Sequence, residues 1–224
     1  MDEPRRVPAP AGGTPYRYRQ RKDAQGPAVM MLHGWGGDED AMWILETTLP
    51  LLPLLVSLRG TDPLPAGGFA WGAEQGGLDT SFEDFHSTFD VIISVRQDIE
   101  AKLPRAPNRW LLMGFSQGAA VSFSLAADGS MLPDGIIALA GYLPHGDLAP
   151  LQDVPIYWGH GTRDDFVPIL RAEKDVQRLR EVNDSVEFCQ TDVGHKLGVE
   201  CARGLKGWFR HYFPETSSQD QRAW

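Results

Sequence analysis

The chain has 224 residues, a length suited to one α/β domain. Such a domain buries about 70% of its unfolded surface without needing a metal or a disulfide framework. Its 21 Lys and Arg against 30 Asp and Glu leave a net charge of −9, which argues against nucleic acid or an anionic membrane as partner and reads as solubility.

Residues 1–13, rich in Pro, Gly and Arg, read as a flexible arm; 14–213 read as one folded domain and 214–224 as a frayed tail. The first residues lack the apolar core of a secretory leader, and no apolar run reaches the length of a membrane span. A cytoplasmic protein without a membrane span is therefore expected. Ala28 to Leu32 is a compact apolar run and reads as a buried strand ending at His33-Gly34. Asp38 then serves as an N-cap or first-turn acid for a helix through about Leu49. Leu54 to Leu58 is the next strand, followed by a Gly/Pro-rich loop from Gly60 to about Ser81.

Phe82 to Leu103 reads as a helix with apolar Phe85, Phe89, Ile92, Ile93, Val95 and Ile99, stopped by Pro104. Strand Trp110–Met113, helix Gln117–Ala127, strand Gly135–Ala140 and strand Val154–Trp158 follow. A helix from about Pro168 to Val182, a strand Val186–Gln190 and a helix Gly198–Phe213 complete the domain. Strands that are apolar throughout and alternate with helices predict a mostly parallel central sheet with helices on both faces. The segment Gly141 to Asp153 is too short to hold a helical cap domain. Cys189, in a predicted strand, reads as a small core residue, and Cys201 lies on a predicted helix; two cysteines make no disulfide framework. No pair among the six histidines has a helical zinc spacing with a carboxylate, so no metal is expected.

In a parallel sheet the chemistry gathers at the carboxyl ends of the strands, and three predicted strands deliver reactive side chains there. Gly114-Phe115-Ser116-Gln117-Gly118 is a G-x-S-x-G at a strand-to-helix junction, the pattern of a nucleophile elbow. The strand to Trp158 delivers Asp164 and Asp165, and the strand to Gln190 delivers His195. A serine hydroxyl needs an adjacent base, imidazole exchanges protons near neutrality, and a carboxylate on its far nitrogen fixes the tautomer. The order Ser116, then Asp164 or Asp165, then His195 suits such a hydrolase. The glycine-rich turn His33-Gly34-Trp35-Gly36-Gly37 can aim amides at a developing oxyanion, with one donor assigned to the Trp35 N–H and the other to the Gln117 N–H. His33 reads as structural; His86, His145, His160 and His211 read as non-catalytic. Of the aromatic residues Trp35, Phe69, Trp71, Phe115 and Tyr142, Trp35 and Trp71 are the favoured pocket contacts.

The chain resembles the α/β-hydrolase superfamily, and within it the phospholipase/carboxylesterase family that includes the acyl-protein thioesterases. The matching residues are Leu32-His33-Gly34-Trp35-Gly36-Gly37-Asp38-Glu39, Gly114 to Ala119, Gly159-His160-Gly161-Thr162-Arg163-Asp164 with Val167-Pro168, and Gly194-His195. They span about residues 28–210, nearly the whole folded part. The resemblance implies an α/β-hydrolase fold and a serine esterase or thioesterase with no metal or organic cofactor. It also selects Asp164 over Asp165 as the acid. Gly36-Gly37 stand where the eukaryotic protein thioesterases usually have an Asp, and the loop Gly67 to Gly72 is similar to the bacterial carboxylesterase branch. Family members are often dimers, so a homodimer is one assembly the resemblance allows.

The expected activity is hydrolysis of small-molecule carboxylic esters, or thioesters, through an acyl-enzyme. Alternatives within enzymes are an acyl-protein thioesterase, a lysophospholipase or a dienelactone-hydrolase-like activity, the last opposed by Ser where that group usually carries Cys. An alternative of another class is a catalytically silent hydrolase fold that binds a ligand.

Overall fold

The computed structural model describes residues 3–22, 24, 26–72 and 77–214. The predicted tail at 214–224 therefore lies outside the described residues except for Pro214. The central elements are strands β1 (Arg5–Val7), β2 (Tyr16–Gln20), β3 (Ala28–Leu32) and β4 (Leu54–Leu58), then a short hairpin of β5 (Asp62–Pro63) and β6 (Phe69–Ala70). Helix α1 (His86–Lys102), strand β7 (Trp110–Phe115), helix α2 (Gln117–Asp128), strands β8 (Gly135–Leu139) and β9 (Ile156–Gly161), helix α3 (Ile169–Arg180), strand β10 (Val186–Thr191) and helix α4 (Val199–Tyr212) follow.

The main sheet has eight strands in the order β1-β2-β4-β3-β7-β8-β9-β10. From β4 to β10 every neighbouring pair is parallel, while β2 is antiparallel to both its neighbours. Strands β3, β4 and β8 are buried at every residue because both faces are covered, which is why they read as unbroken apolar runs. Alternate residues serve alternate faces. Met30, Leu32, Val56 and Leu112 pack with α1 and α2, whereas Val29, Met31, Leu55, Leu111 and Met113 pack with Leu205, Trp208 and Phe209 of α4. At the other end of the sheet, Ile136, Ala138, Ile156 and Trp158 meet Phe123 of α2 and Ala172, Val176 and Leu179 of α3.

Helix boundaries follow local chemistry. The segment Phe82–Phe85 is a 3-10 turn that opens with the Asp84 carboxylate accepting the Ser81 amide at 2.7 Å, and α1 continues from it with Phe89, Ile92, Val95 and Ile99 on the buried face. Leu103 is extended because Pro104 follows it. Helix α2 ends at Gly129, which takes a left-handed φ of 78°. The helix expected after Asp38 is a 3-10 helix, Ala41–Thr48, although Asp38 does accept the amides of Asp40 (2.9 Å) and Ala41 (3.1 Å) as a cap would.

Two expectations are corrected and one strand is added. Arg5–Val7, assigned to a flexible arm, is a strand on the sheet edge, and Arg6 bonds to Glu39 and Asp40. Strand β2 was not anticipated: Tyr16 and Tyr18 face the core, while Arg17 and Arg19 on the opposite face pair with Asp40 and Glu46. Cys189, read as a small core residue, forms a disulfide with Cys201 between β10 and α4. That bridge does not suit the cytoplasmic expectation, because reducing compartments keep most protein thiols unpaired. Among the described residues, no helix is long and apolar enough to cross a membrane.

Candidate active site

Ser116 stands between the end of β7 and the start of α2, with φ 53° and ψ −117°. An L-residue rarely adopts this conformation, which lifts the side chain clear of a sharp turn. The flanking glycines are required by packing. A Cβ on Gly118 would lie 2.0 Å from the Leu32 carbonyl oxygen, and one on Gly114 would lie 2.2 Å from the carbonyl of Gly118. The Ser116 amide donates to the Leu139 carbonyl at 2.9 Å, anchoring the turn to β8. The Gln117 amide, first in the helix, has no partner in the preceding turn, so it is available to an external acceptor. Its side chain is turned inward, where Oε1 accepts the Trp71 amide at 3.2 Å.

The turn after β3 runs directly beside the serine, since a Cβ on Gly34 would meet the Ser116 Cβ at 3.1 Å. Its orientation is set by His33, whose Nε2 accepts the Gly60 amide at 2.8 Å. The ring proton must then reside on Nδ1, which donates to the Gly34 carbonyl at 2.7 Å. That carbonyl also accepts the Gly37 amide at 3.0 Å. The Gly34–Trp35 peptide is trans, so fixing its carbonyl on this side directs the Trp35 N–H to the other. Burial pushes the His33 imidazole below its ordinary value and keeps it neutral. Behind the turn, Glu39 is buried against Arg59, which donates from Nε (2.7 Å) and Nη2 (2.6 Å). Burial opposes the Glu39 charge, but the Arg59 hydrogen bonds outweigh it and hold the carboxyl below the usual range.

Trp35 on this turn is 43% exposed, whereas Trp71 is 0% exposed and belongs to the core. The expected pocket role of Trp71 does not fit that position. Its indole N–H donates to the His33 carbonyl at 2.9 Å and its ring lies 5.0 Å from the His33 ring, so it braces the turn from beneath. Full burial is stable because the one polar atom of the indole has an internal acceptor.

Beyond β9, the buried carboxylate of Asp164 accepts the amides of Phe166 and Val167 on Oδ1, each at 2.9 Å. Its Oδ2 lies 2.7 Å from Nδ1 of His195. A carboxylate only accepts, so in the neutral tautomer this contact places the His195 proton on Nδ1 and the lone pair on Nε2. Asp165 is exposed. The structure thus brings Asp164, and not its neighbour, to the imidazole. His160 is buried behind the pair: its Nδ1 accepts the Trp158 indole N–H at 3.3 Å, and its Nε2 donates to the Val167 carbonyl at 2.8 Å while lying 3.5 Å from Asp164 Oδ2. Burial pushes His160 below its ordinary value, so it acts as a neutral donor. The two loops interlock. A Cβ on Gly161 would lie 2.2 Å from the Gly194 carbonyl oxygen, and the Arg163 amide donates to the Val193 carbonyl at 3.0 Å.

The His195 ring is flanked by Phe115 (centroids 4.9 Å apart) and Phe166 (5.1 Å). Phe115 immediately precedes Ser116, so the imidazole lies at the elbow; among the described residues, however, no hydrogen bond joins the Ser116 hydroxyl to it. Phe166 and Arg59 are not among the residues singled out from sequence, where His160 reads as non-catalytic and Glu39 as a motif residue, without these supporting contacts. The signal for Phe166 was an apolar residue two positions after the acid, and for His160 a histidine at a strand's buried end. Among the described residues, no group of three or more His, Cys, Asp or Glu side chains could hold a metal ion.

Known proteins resemble this chain in sequence and in fold. Acyl-protein thioesterase 1 of Cryptococcus neoformans is 27% identical over 200 residues, spanning 79% of this chain and 78% of the relative. A carboxylesterase from Mesorhizobium loti superposes with a TM-score of 0.74 at 18% identity, covering 87% of this chain and 93% of that one. The Bacillus cereus carboxylesterase gives 0.69 at 20% identity, covering 88% and 94%. These two likenesses carry the α/β-hydrolase fold alone. The family model described as Phospholipase/Carboxylesterase matches residues 18–205, and the chain therefore belongs to the phospholipase/carboxylesterase family.

Proposed function

We propose that the protein is a serine hydrolase that cleaves carboxylic esters through an acyl-enzyme, with Ser116 as nucleophile, His195 as general base and acid, and Asp164 as its orienting carboxylate. The observation that carries this reading is the 2.7 Å Asp164–His195 contact on a ring packed against the residue before a strained Ser116. In this scheme the Ser116 oxygen bonds to the substrate carbonyl carbon while its proton passes to His195 Nε2. The carbonyl oxygen takes the negative charge between the Trp35 and Gln117 amides. Each such donor is worth about 2.7–4 kcal/mol of transition-state stabilisation. The tetrahedral intermediate collapses, the bond to the leaving oxygen breaks, and His195 returns the proton to that oxygen. Water then attacks the acyl-Ser116 carbonyl with the same proton transfers and releases the acid.

Thioester cleavage is a second reading, favoured by the acyl-protein thioesterase relatives; the sulfur leaving group would take the proton from the same nitrogen. The test is turnover of a short-chain chromogenic ester and its thioester counterpart by wild-type protein and Ser116→Ala. The substitution is expected to lower both rates by about 10⁴-fold or more. Near-wild-type turnover in the variant would remove the serine from the mechanism.

A further inference from the structure

Large apolar side chains rarely stand in water without a use when they cluster. Among the described residues eight such side chains are exposed, and four of them, Trp35, Phe166, Leu170 and Val199, belong to the turns that follow β3 and β9 or to the first turns of α3 and α4. Phe166 is the most telling. The residue is 74% exposed, yet its amide donates a hydrogen bond to Asp164 Oδ1 (2.9 Å) and its ring centroid rests 5.1 Å from that of His195. Phe115, on the other side of His195, is half-buried and packed against the core on the α4 side. Only one of the two rings that flank the imidazole therefore offers a broad open face.

We propose that Phe166 is a specificity-determining residue that forms a platform for the leaving group and favours esters of aromatic alcohols. The inference rests on the serine-hydrolase reading above. In that reading His195 Nε2 protonates the leaving oxygen, so this oxygen comes within hydrogen-bond reach of the imidazole. The carbonyl oxygen is held on the opposite side by the Trp35 and Gln117 amides. The alcohol portion of the substrate must then extend past His195, and the exposed apolar surface against that ring is Phe166. An aromatic alcohol gains offset or edge-to-face contact with this ring, which a polar alcohol does not. The backbone of its loop needs no ordering on binding, since the Asp164 contacts already set it.

The test compares kcat/KM for benzyl acetate and 2-methoxyethyl acetate, which share the acyl group and have leaving alcohols of similar acidity. Phe166→Ala is expected to lower the benzyl-to-methoxyethyl ratio about tenfold, mainly through KM for the benzyl ester, because a binding contact kept in ground and transition states acts there. Phe166→Tyr should restore the ratio, and Phe166→Leu, which keeps apolar bulk without the ring, should fall between. An unchanged ratio in Phe166→Ala, including an equal loss on both esters, would overturn the platform and leave Phe166 as a shield for the imidazole. So would a ratio that Tyr fails to restore. Failure of the underlying reading is seen separately, as Ser116→Ala retaining turnover of both esters.

Discussion

The two halves of the candidate site are held by different kinds of interaction. Around Ser116 the backbone itself is packed: Gly118 against the Leu32 carbonyl, Gly34 against the serine Cβ, Gly114 against α2. Around His195 the geometry depends on side chains that could be exchanged, with Asp164 taking two amides and an imidazole and His160 bridging Trp158 and Val167. The serine half therefore leaves no room for a Cβ at Gly114 or Gly118; the imidazole half shares one such backbone contact, Gly161 on the Gly194 carbonyl, but its hydrogen-bonding side chains can lose their chemistry and keep the fold.

Paired substitutions would break or sharpen this contrast. Asp164→Asn preserves an acceptor for the Phe166 and Val167 amides but no longer fixes the His195 proton on Nδ1, so kcat is expected to fall by roughly 10⁴-fold with a melting temperature within a few degrees of wild type. Gly118→Ala forces a Cβ onto a backbone carbonyl and is expected to cost on the order of 3 kcal/mol or more, read by denaturant unfolding. The contrast fails if Asp164→Asn unfolds the protein or if Gly118→Ala is neutral. A smaller effect concerns pH. His33 and His160 have folded-state values below the ordinary 6.5, so the unfolded chain binds their protons first. Their contribution is complete above about pH 6.5 and is lost as pH falls through the lowered folded values. Thermal melts between about pH 7.5 and 5 should show this decline, and His160→Gln should flatten it; a wild-type melting temperature independent of pH in that window would contradict the buried neutral imidazoles.

The parallel core was legible in the sequence because strands covered on both faces leave uninterrupted apolar runs such as Ala28 to Leu32. The residues later found at the site were legible because each reactive side chain follows such a strand. Strand β2 escaped because its outer face carries arginines, whose partners Asp40 and Glu46 are supplied by a distant segment. Spacing along the chain carries no distance in space, so the twelve-residue separation of Cys189 and Cys201 did not reveal their bridge. Trp71 was misplaced because an aromatic residue in a glycine-rich loop reads as a pocket wall, whereas the His33 carbonyl draws its indole N–H inward. The position of Phe166 two residues after the acid does not tell which face of its loop meets the imidazole.

The most direct test of the central claim is peptide-level mass spectrometry after brief treatment with a fluorophosphonate, which phosphonylates a serine activated by a neighbouring base far faster than other side chains. The account predicts a single adduct on Ser116, strongly reduced in Asp164→Asn. An adduct on another residue, or none on folded wild-type protein, would contradict it.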